Sequence, residues 1–192
     1  MRTSRVFRLL FRIFISLLTL SVTVVSILGG LSAVSILMNP DNIEFDFDNA
    51  DFQIDYDLSG FHGANFSLPF NITNAGYFDL ENLQLRVELK INYSKVDHPI
   101  AGFNETYTAK IFEKTFYDFD DIPKGLTGYF NITGLNSDFA PYQDNFPNST
   151  QIDFLQLPLM VFFANFTISL DYSLGMHSVS IDVLNLKVFE LP

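Results

Sequence analysis

The chain has 192 residues, with 11 Lys/Arg against 22 Asp/Glu and no cysteine. The missing cysteine excludes disulfides, thiol catalysis and cysteine-ligated zinc, and the acidic excess argues against any phosphate-backbone partner, so no nucleic-acid role is expected. The length suits one domain plus an anchor, with 22 Phe and 8 Tyr to fill a core.

Charge divides the chain at its start. Arg2, Arg5, Arg8 and Arg12 precede every acidic residue, and residues 41–192 carry 7 Lys/Arg against 22 Asp/Glu, a formal −15. Residues 1–12 read as a basic cytoplasmic tail. From Ile13 to Met38 no residue is charged. A bilayer core of about 30 Å needs about 20 helical residues, so this run is long enough to span even when tilted. It is apolar on every face, unlike the one-striped helix of a globular core. A cleaved signal peptide is the rival reading, with small residues at Gly30, Ser32, Ala33 and Ser35 as sites; the run exceeds the usual apolar length of about 7–15 residues, which favours an uncleaved anchor. The arginines keep the N-terminus cytoplasmic and place residues 39–192 outside a cell membrane crossed once.

After Pro40 the periodicity becomes alternation. Ile43/Phe45/Phe47, Phe52/Ile54/Tyr56/Leu58 and Phe66/Leu68/Phe70/Ile72 each form an apolar strand face. The clearest run is 82–93, where Leu83, Leu85, Val87, Leu89, Ile91 and Tyr93 share one face and Asn82, Gln84, Arg86, Glu88, Lys90 and Asn92 the other. Alternation returns at Phe166/Ile168/Leu170/Tyr172/Leu174 and Val179/Ile181/Val183, then changes phase through Leu184, Leu186 and Val188, which predicts a β-bulge. Turns are expected at Asn74-Ala75-Gly76, Pro123-Lys124-Gly125 and Gly175. Residues 135–150 lack alternation and read as an exposed loop. Residues 154–163, interrupted by Pro158, fit either a short helix or an irregular crossover. One-sided alternation with short polar turns indicates an all-β fold, an antiparallel sandwich with one face of each sheet wet.

The glycosylation signal Asn-x-Ser/Thr occurs at Asn65, Asn71, Asn92, Asn104, Asn131, Asn148 and Asn165. About two would arise by chance from this composition. Asn65, Asn71, Asn92, Asn131 and Asn165 fall on the polar face of their strands, and Asn104 and Asn148 fall in expected loops. Glycosylation agrees with the outward topology deduced from the arginines.

No catalytic motif stands out. His62, His98 and His177 lack metal-site spacing, and there is no phosphate loop, nucleophile elbow or HExxH. The expectation is a non-enzymatic protein without a cofactor. Within 41–57, Glu44, Asp46 and Asp48 share one expected strand face, and Asp51, Asp55 and Asp57 share that of the next. If the two strands were paired, like charges would oppose each other and a cation such as Ca²⁺ would relieve them; if they are apart, the acids are simply solvated. Glu44, Asp46, Asp48, Asp55 and Asp57 are the weak cation candidates on that account.

The stretch Phe66–Gly76 (FSLPFNITNAG), followed by Tyr77–Val87 (YFDLENLQLRV), resembles the late-embryogenesis-abundant type-two domain, also called the water-stress and hypersensitive-response (WHy) domain. Asn74 matches the family's turn Asn, residues 80–89 match the strand after it, and Tyr172–Gly175 resembles the hairpin between the final strands; the likeness covers roughly residues 43–190. It implies a small Ig-like or fibronectin-like sandwich, often carried behind a single transmembrane helix, with no catalytic residues. Members are linked to stress protection and membrane-associated structural roles, and some related domains are thought to bind lipid between the sheets. This chain departs from plant members in its abundant Phe and its sequons.

Three functions follow as expectations. The first is a surface protein whose sandwich binds or packs with another envelope component; the second, a tethered lipid-binding or lipid-transfer domain; the third, a filament-type subunit. A filled core favours the first and an apolar cavity between the sheets the second.

Overall fold

A computed structural model describes residues 3–37, 39–57, 60–94, 106–147, 152, 160–172, 175 and 177–191. Helix α1 (Thr3–Leu37) starts earlier than the apolar run that predicts it and continues to the edge of the β domain. Residues 10–36 form a helix long and apolar enough to cross a membrane. A 3-10 turn (Pro40–Asn42) leads into strands β1 (Ile43–Phe45), β2 (Asp51–Asp57), β3 (Gly60–Thr73), β4 (Leu80–Ser94), β5 (Thr106–Phe116) and β6 (Thr127–Gly134). A short helix α2 (Asn136–Phe139) and a 3-10 segment (Ala140–Asn145) precede β7 (Met160–Tyr172) and β8 (His177–Leu191).

Two antiparallel sheets result. In the first, β3 is central: β6 pairs with residues 66–73, while β1 pairs with 70–72 and β2 with 60–67. A strand has two edges, and β6 overlaps both partners, so β1 and β2 lie in succession along the opposite edge. Between them, residues 46–50 leave the ladder. Pro69 of β3 faces this break: its carbonyl accepts from the Asp46 N–H at 3.0 Å, and it has no N–H to offer a continuing strand. The second sheet has the order β5-β4-β7-β8.

The sheets pack face to face as a sandwich. Alternate residues of β3, β4 and β7 are buried in one cluster, including Leu68, Phe70, Ile72, Leu85, Val87, Ile91, Phe166, Ile168 and Leu170. Phenylalanines join the layers: Phe45 stacks on Phe166 with ring centres 4.3 Å apart, and Phe66 meets Phe112 edge-on at 5.1 Å. Such pairs prefer offset or edge-on contact and contribute about 0.5–1.5 kcal/mol each beyond the area they bury.

Two differences from the sequence reading have local causes, and one expected irregularity is present. Residues 135–147 are not a simple exposed loop, because Phe139 and Phe146 are buried, the latter stacked on Phe61 at 3.7 Å. Two phenylalanines seven residues apart are too few to declare a period over so short a stretch. The alternating run in β4 is broken at its start, where Asn82 adopts φ +50° and the pairing with β7 slips between Glu81 and Gln84. The β-bulge expected from the change of phase in β8 is present at residues 184–185, with Asn185 at φ +57° and the pairing moving from Val183 to Leu186. The undecided stretch 154–163 lies outside the described residues up to 159, and β7 begins at Met160.

Candidate functional site

The end of α1 is built into the sandwich. Gly29, Ser32 and Ile36 are buried and Ala33 is packed against the core, a set spaced three and four residues apart and so one helix face. On the opposite side Leu31 and Val34 remain exposed. Small residues at 29, 32 and 33 allow close approach, and Ile36 reaches the core cluster with 1% of its surface exposed. Ser32 Oγ donates to the Leu28 carbonyl at 3.0 Å and accepts the Tyr77 backbone N–H at 2.8 Å. Asn42, also buried, turns back and donates from Nδ2 to the carbonyls of Ser35 (3.1 Å) and Ile36 (3.4 Å). Those are among the helix-end carbonyls left without an intrahelical partner, so Asn42 caps α1.

Asn74 organises the turn that receives the helix. It is fully buried. Its Nδ2 donates to Phe78 O (2.9 Å) and Ile122 O (2.8 Å), and its Oδ1 accepts from Gly76 N (3.0 Å). Its backbone N–H donates to Leu126 O (2.9 Å), and its carbonyl accepts from Gly125 N (2.8 Å). One side chain thereby ties the 74–78 turn to the 122–126 turn. On the surface of these turns Tyr77 and Leu126 are 48% and 56% exposed. Lys124 Nζ stands over the Tyr77 ring at 5.6 Å, and its backbone N–H donates to Asp79 Oδ1 at 2.8 Å.

The sequons within the described residues lie on the outer faces of both sheets. Asn65 and Asn131 are exposed, Asn71 and Asn165 are partly exposed between buried neighbours, and Asn92 is partly exposed between buried Ile91 and half-buried Tyr93. Asn104 and Asn148 lie outside the described residues. Asn65 Oδ1 accepts the Asn136 N–H at 2.9 Å and Asn165 Oδ1 accepts the Asn185 N–H at 2.7 Å. A backbone amide can only donate, so each bond fixes the side-chain oxygen inward and leaves Nδ2, the atom that carries an N-glycan, pointing away. Asn71 differs, since its Nδ2 donates to Glu44 Oε2 at 3.1 Å.

The acidic segment is not two paired strands. β1 and β2 follow one another along β3, so their carboxylates face β3 rather than each other: Glu44 is opposite Asn71, Asp51 opposite Ser67 and Asp55 opposite Gly63. Asp46 and Asp48 lie in the bend after β1 and not on its face, and Asp46 accepts both the backbone and side-chain N–H of Asn49. Among the described residues no three His, Asp or Glu side chains gather as a metal site would require. Asp57 and exposed His62 form an ion pair at 2.9 Å, and the hydrogen bond to Asp57 raises the imidazole above its ordinary value.

Two hollows accompany β2. An open cleft of about 580 Å³ is lined by Gln53, Asp55, His62, Asn65, Asn136 and Phe189 among others. Beneath it, between the sheets, the space bounded by Phe52, Ile54, Phe66, Phe139, Phe162 and Phe189 is only about 20 Å³. That admits about one water and no acyl chain.

No protein-family model matches the chain, and no curated protein matches it. Among solved structures, Spo0M, a sporulation control protein from Bacillus subtilis, is similar over 74% of this chain at 14% identity with a TM-score of 0.31. The chain spans about half of Spo0M, 49% of its length. A structural-genomics target, SoR45, is similar over 79% of this chain and 86% of its own, at 12% identity and a TM-score of 0.33. Scores this low carry no functional argument.

Proposed function

We propose that this is a non-enzymatic, single-pass membrane protein whose outer β-sandwich packs with another envelope component. The observation that carries the reading is the continuity of α1 with the core. A helix exposing apolar side chains from Leu10 to Val34 needs an apolar surround, yet its final turns supply Ser32 and Ile36 to the interior. Cleavage after Ser32 or Ser35 would remove Ser32 from the domain it is built into, so an uncleaved anchor fits better than a signal peptide. The arginine-rich start places the N-terminus in the cytoplasm and the sandwich outside.

In this reading Asn65, Asn71, Asn92, Asn131 and Asn165 carry glycans on the wet faces, with Asn104 and Asn148 as further acceptors. The sandwich is Ig-like in the manner of the late-embryogenesis-abundant type-two domain; the buried Asn74 of the turn supports that kinship. A space of about 20 Å³ between the sheets favours packing or binding at the surface over lipid carriage inside. The test is purification of the full chain from detergent extracts of native membranes, with mass spectrometry of bound proteins and lipids. A recurrent envelope protein in stoichiometric yield is expected. A stoichiometric lipid without protein would overturn the reading in favour of a lipid-transfer domain.

A further inference from the structure

We infer that the two turns joined by Asn74 form a foot that rests in the headgroup layer of the membrane crossed by α1, with zwitterionic phospholipid headgroups as its ligands. This rests on the anchor reading above. Its first support is a matter of height. Arg12 is the last charged residue before the apolar run, and Ser32 follows it by 20 residues. At 1.5 Å per residue that is about 30 Å, the thickness of the hydrocarbon core. With Arg12 at the inner boundary, Ser32 stands at the outer one. Tyr77 is held at that level by its 2.8 Å hydrogen bond to Ser32.

The second support is chemical. The foot exposes a tyrosine, a leucine and a lysine at one place, the mixture that favours a membrane–water boundary: an amphipathic ring, an apolar side chain for the upper acyl region and a cation for lipid phosphate. The recess beside it, about 230 Å³, is lined by Tyr77, Phe78, Asp79, Glu81 and Lys124. Carboxylates and an aromatic face suit an ammonium group, and Lys124 suits a phosphate. A headgroup bearing both charges matches this lining, whereas a purely anionic one meets Asp79 and Glu81. The third support is attachment: Ser32, Ile36 and the Asn42 cap join the end of the helix to the domain, which holds the foot beside it.

The chain has no tryptophan, so single Trp substitutions report depth without background. The full-length protein is reconstituted in phosphatidylcholine vesicles containing lipid brominated in the upper acyl chain. Tyr77→Trp and Leu126→Trp report the foot, and Leu18→Trp, at an exposed mid-helix position, reports the anchor. Leu135→Trp, also exposed, is the distant control, since β6 carries it about 30 Å from Leu126. Both foot tryptophans should be quenched at least about twofold more than Leu135→Trp, with blue-shifted emission, as interfacial rings are. If Leu18→Trp is quenched while either foot reporter behaves like Leu135→Trp, the foot is wrong and the anchor stands. If Leu135→Trp is quenched as strongly as the foot, the domain lies flat and the proposal is equally overturned. An unquenched Leu18→Trp overturns the anchor itself.

Discussion

Gly76 approaches Ser32 so closely that a Cβ built on the glycine would stand 2.9 Å from the serine Cβ and 3.1 Å from the Asn74 side-chain oxygen. Real Cβ atoms do not come so near, and here the neighbours are a fully buried helix residue and a fully engaged amide. Gly76 is therefore the residue that lets the helix seat against the turn. Gly76→Ala should push the two apart and cost about 1–3 kcal/mol, as overpacking does. Gly30→Ala, whose Cβ would meet nothing within 4 Å, should be neutral or slightly stabilising through helix propensity. Thermal unfolding in detergent separates the two.

Asn74→Ala removes a buried side chain that makes three hydrogen bonds. Phe78 O and Gly76 N lose these partners, while Ile122 O retains the Leu80 N–H at 3.0 Å. One buried and one part-buried group left without these partners cost about 2–5 kcal/mol together. Asn74→Asp should be no milder, because it keeps the acceptor for Gly76 but turns a carboxylate oxygen toward two carbonyls. Chemical denaturation of the full chain checks both.

Leu85 is wholly buried between β5 and β7, and its truncation to Ala should cost about 2–5 kcal/mol. Gln84→Ala, one residue along and exposed, should change stability by under about 0.5 kcal/mol. Equal melting temperatures for the two variants would contradict the strand register, since a slip of one residue exchanges their faces.

The His62–Asp57 pair gives a pH signature. The imidazole gains a partner on folding, so its folded pKa lies above the ordinary 6.5. Its contribution to stability is complete below the unfolded value and is lost as pH rises through the folded one. NMR titration should place His62 above 6.5, and Asp57→Asn should bring it down. An unchanged titration midpoint would show that the pair does not persist in solution.

Glycopeptide mapping of native material should find Asn65 and Asn165 occupied, since the backbone amides of Asn136 and Asn185 hold their side-chain oxygens inward. Asn71, whose Nδ2 is engaged by Glu44, should show lower occupancy; equal occupancy at all three would mean that this hydrogen bond does not direct the modification.

Much of the β domain was legible because its signal is simple. Where one face is dry and the other wet, alternation declares itself, as it does from Leu83 to Ile91. The helix seat was not legible for the opposite reason: Gly29, Ser32, Ala33 and Ile36 lie in a run that is apolar throughout, so a docking face has no polar background against which to show. Asn74 reads as a turn residue, which it is, but nothing in a turn signal reports burial. Periodicity assigns faces to strands without assigning neighbours, so the succession of β1 and β2 along one edge of β3, on which the fate of the acidic segment depends, emerges only from the pairing.

If α1 is the membrane anchor proposed above, its seating also governs how the protein can meet others. A domain on a loose tether samples a hemisphere and presents any side to a partner. One whose helix ends inside its own core keeps little freedom except rotation about the membrane normal and lateral diffusion. Copies in one bilayer then share a height and an upright direction, and they meet flank to flank. The flanks are the sheet edges, β6 and the broken ladder of β1 and β2 on one layer, β5 and the bulged β8 on the other. Encounter becomes a search in two dimensions and one angle, which lowers the orientational entropy that association must overcome and makes a neighbour in the same membrane a more accessible partner than one approaching from solution.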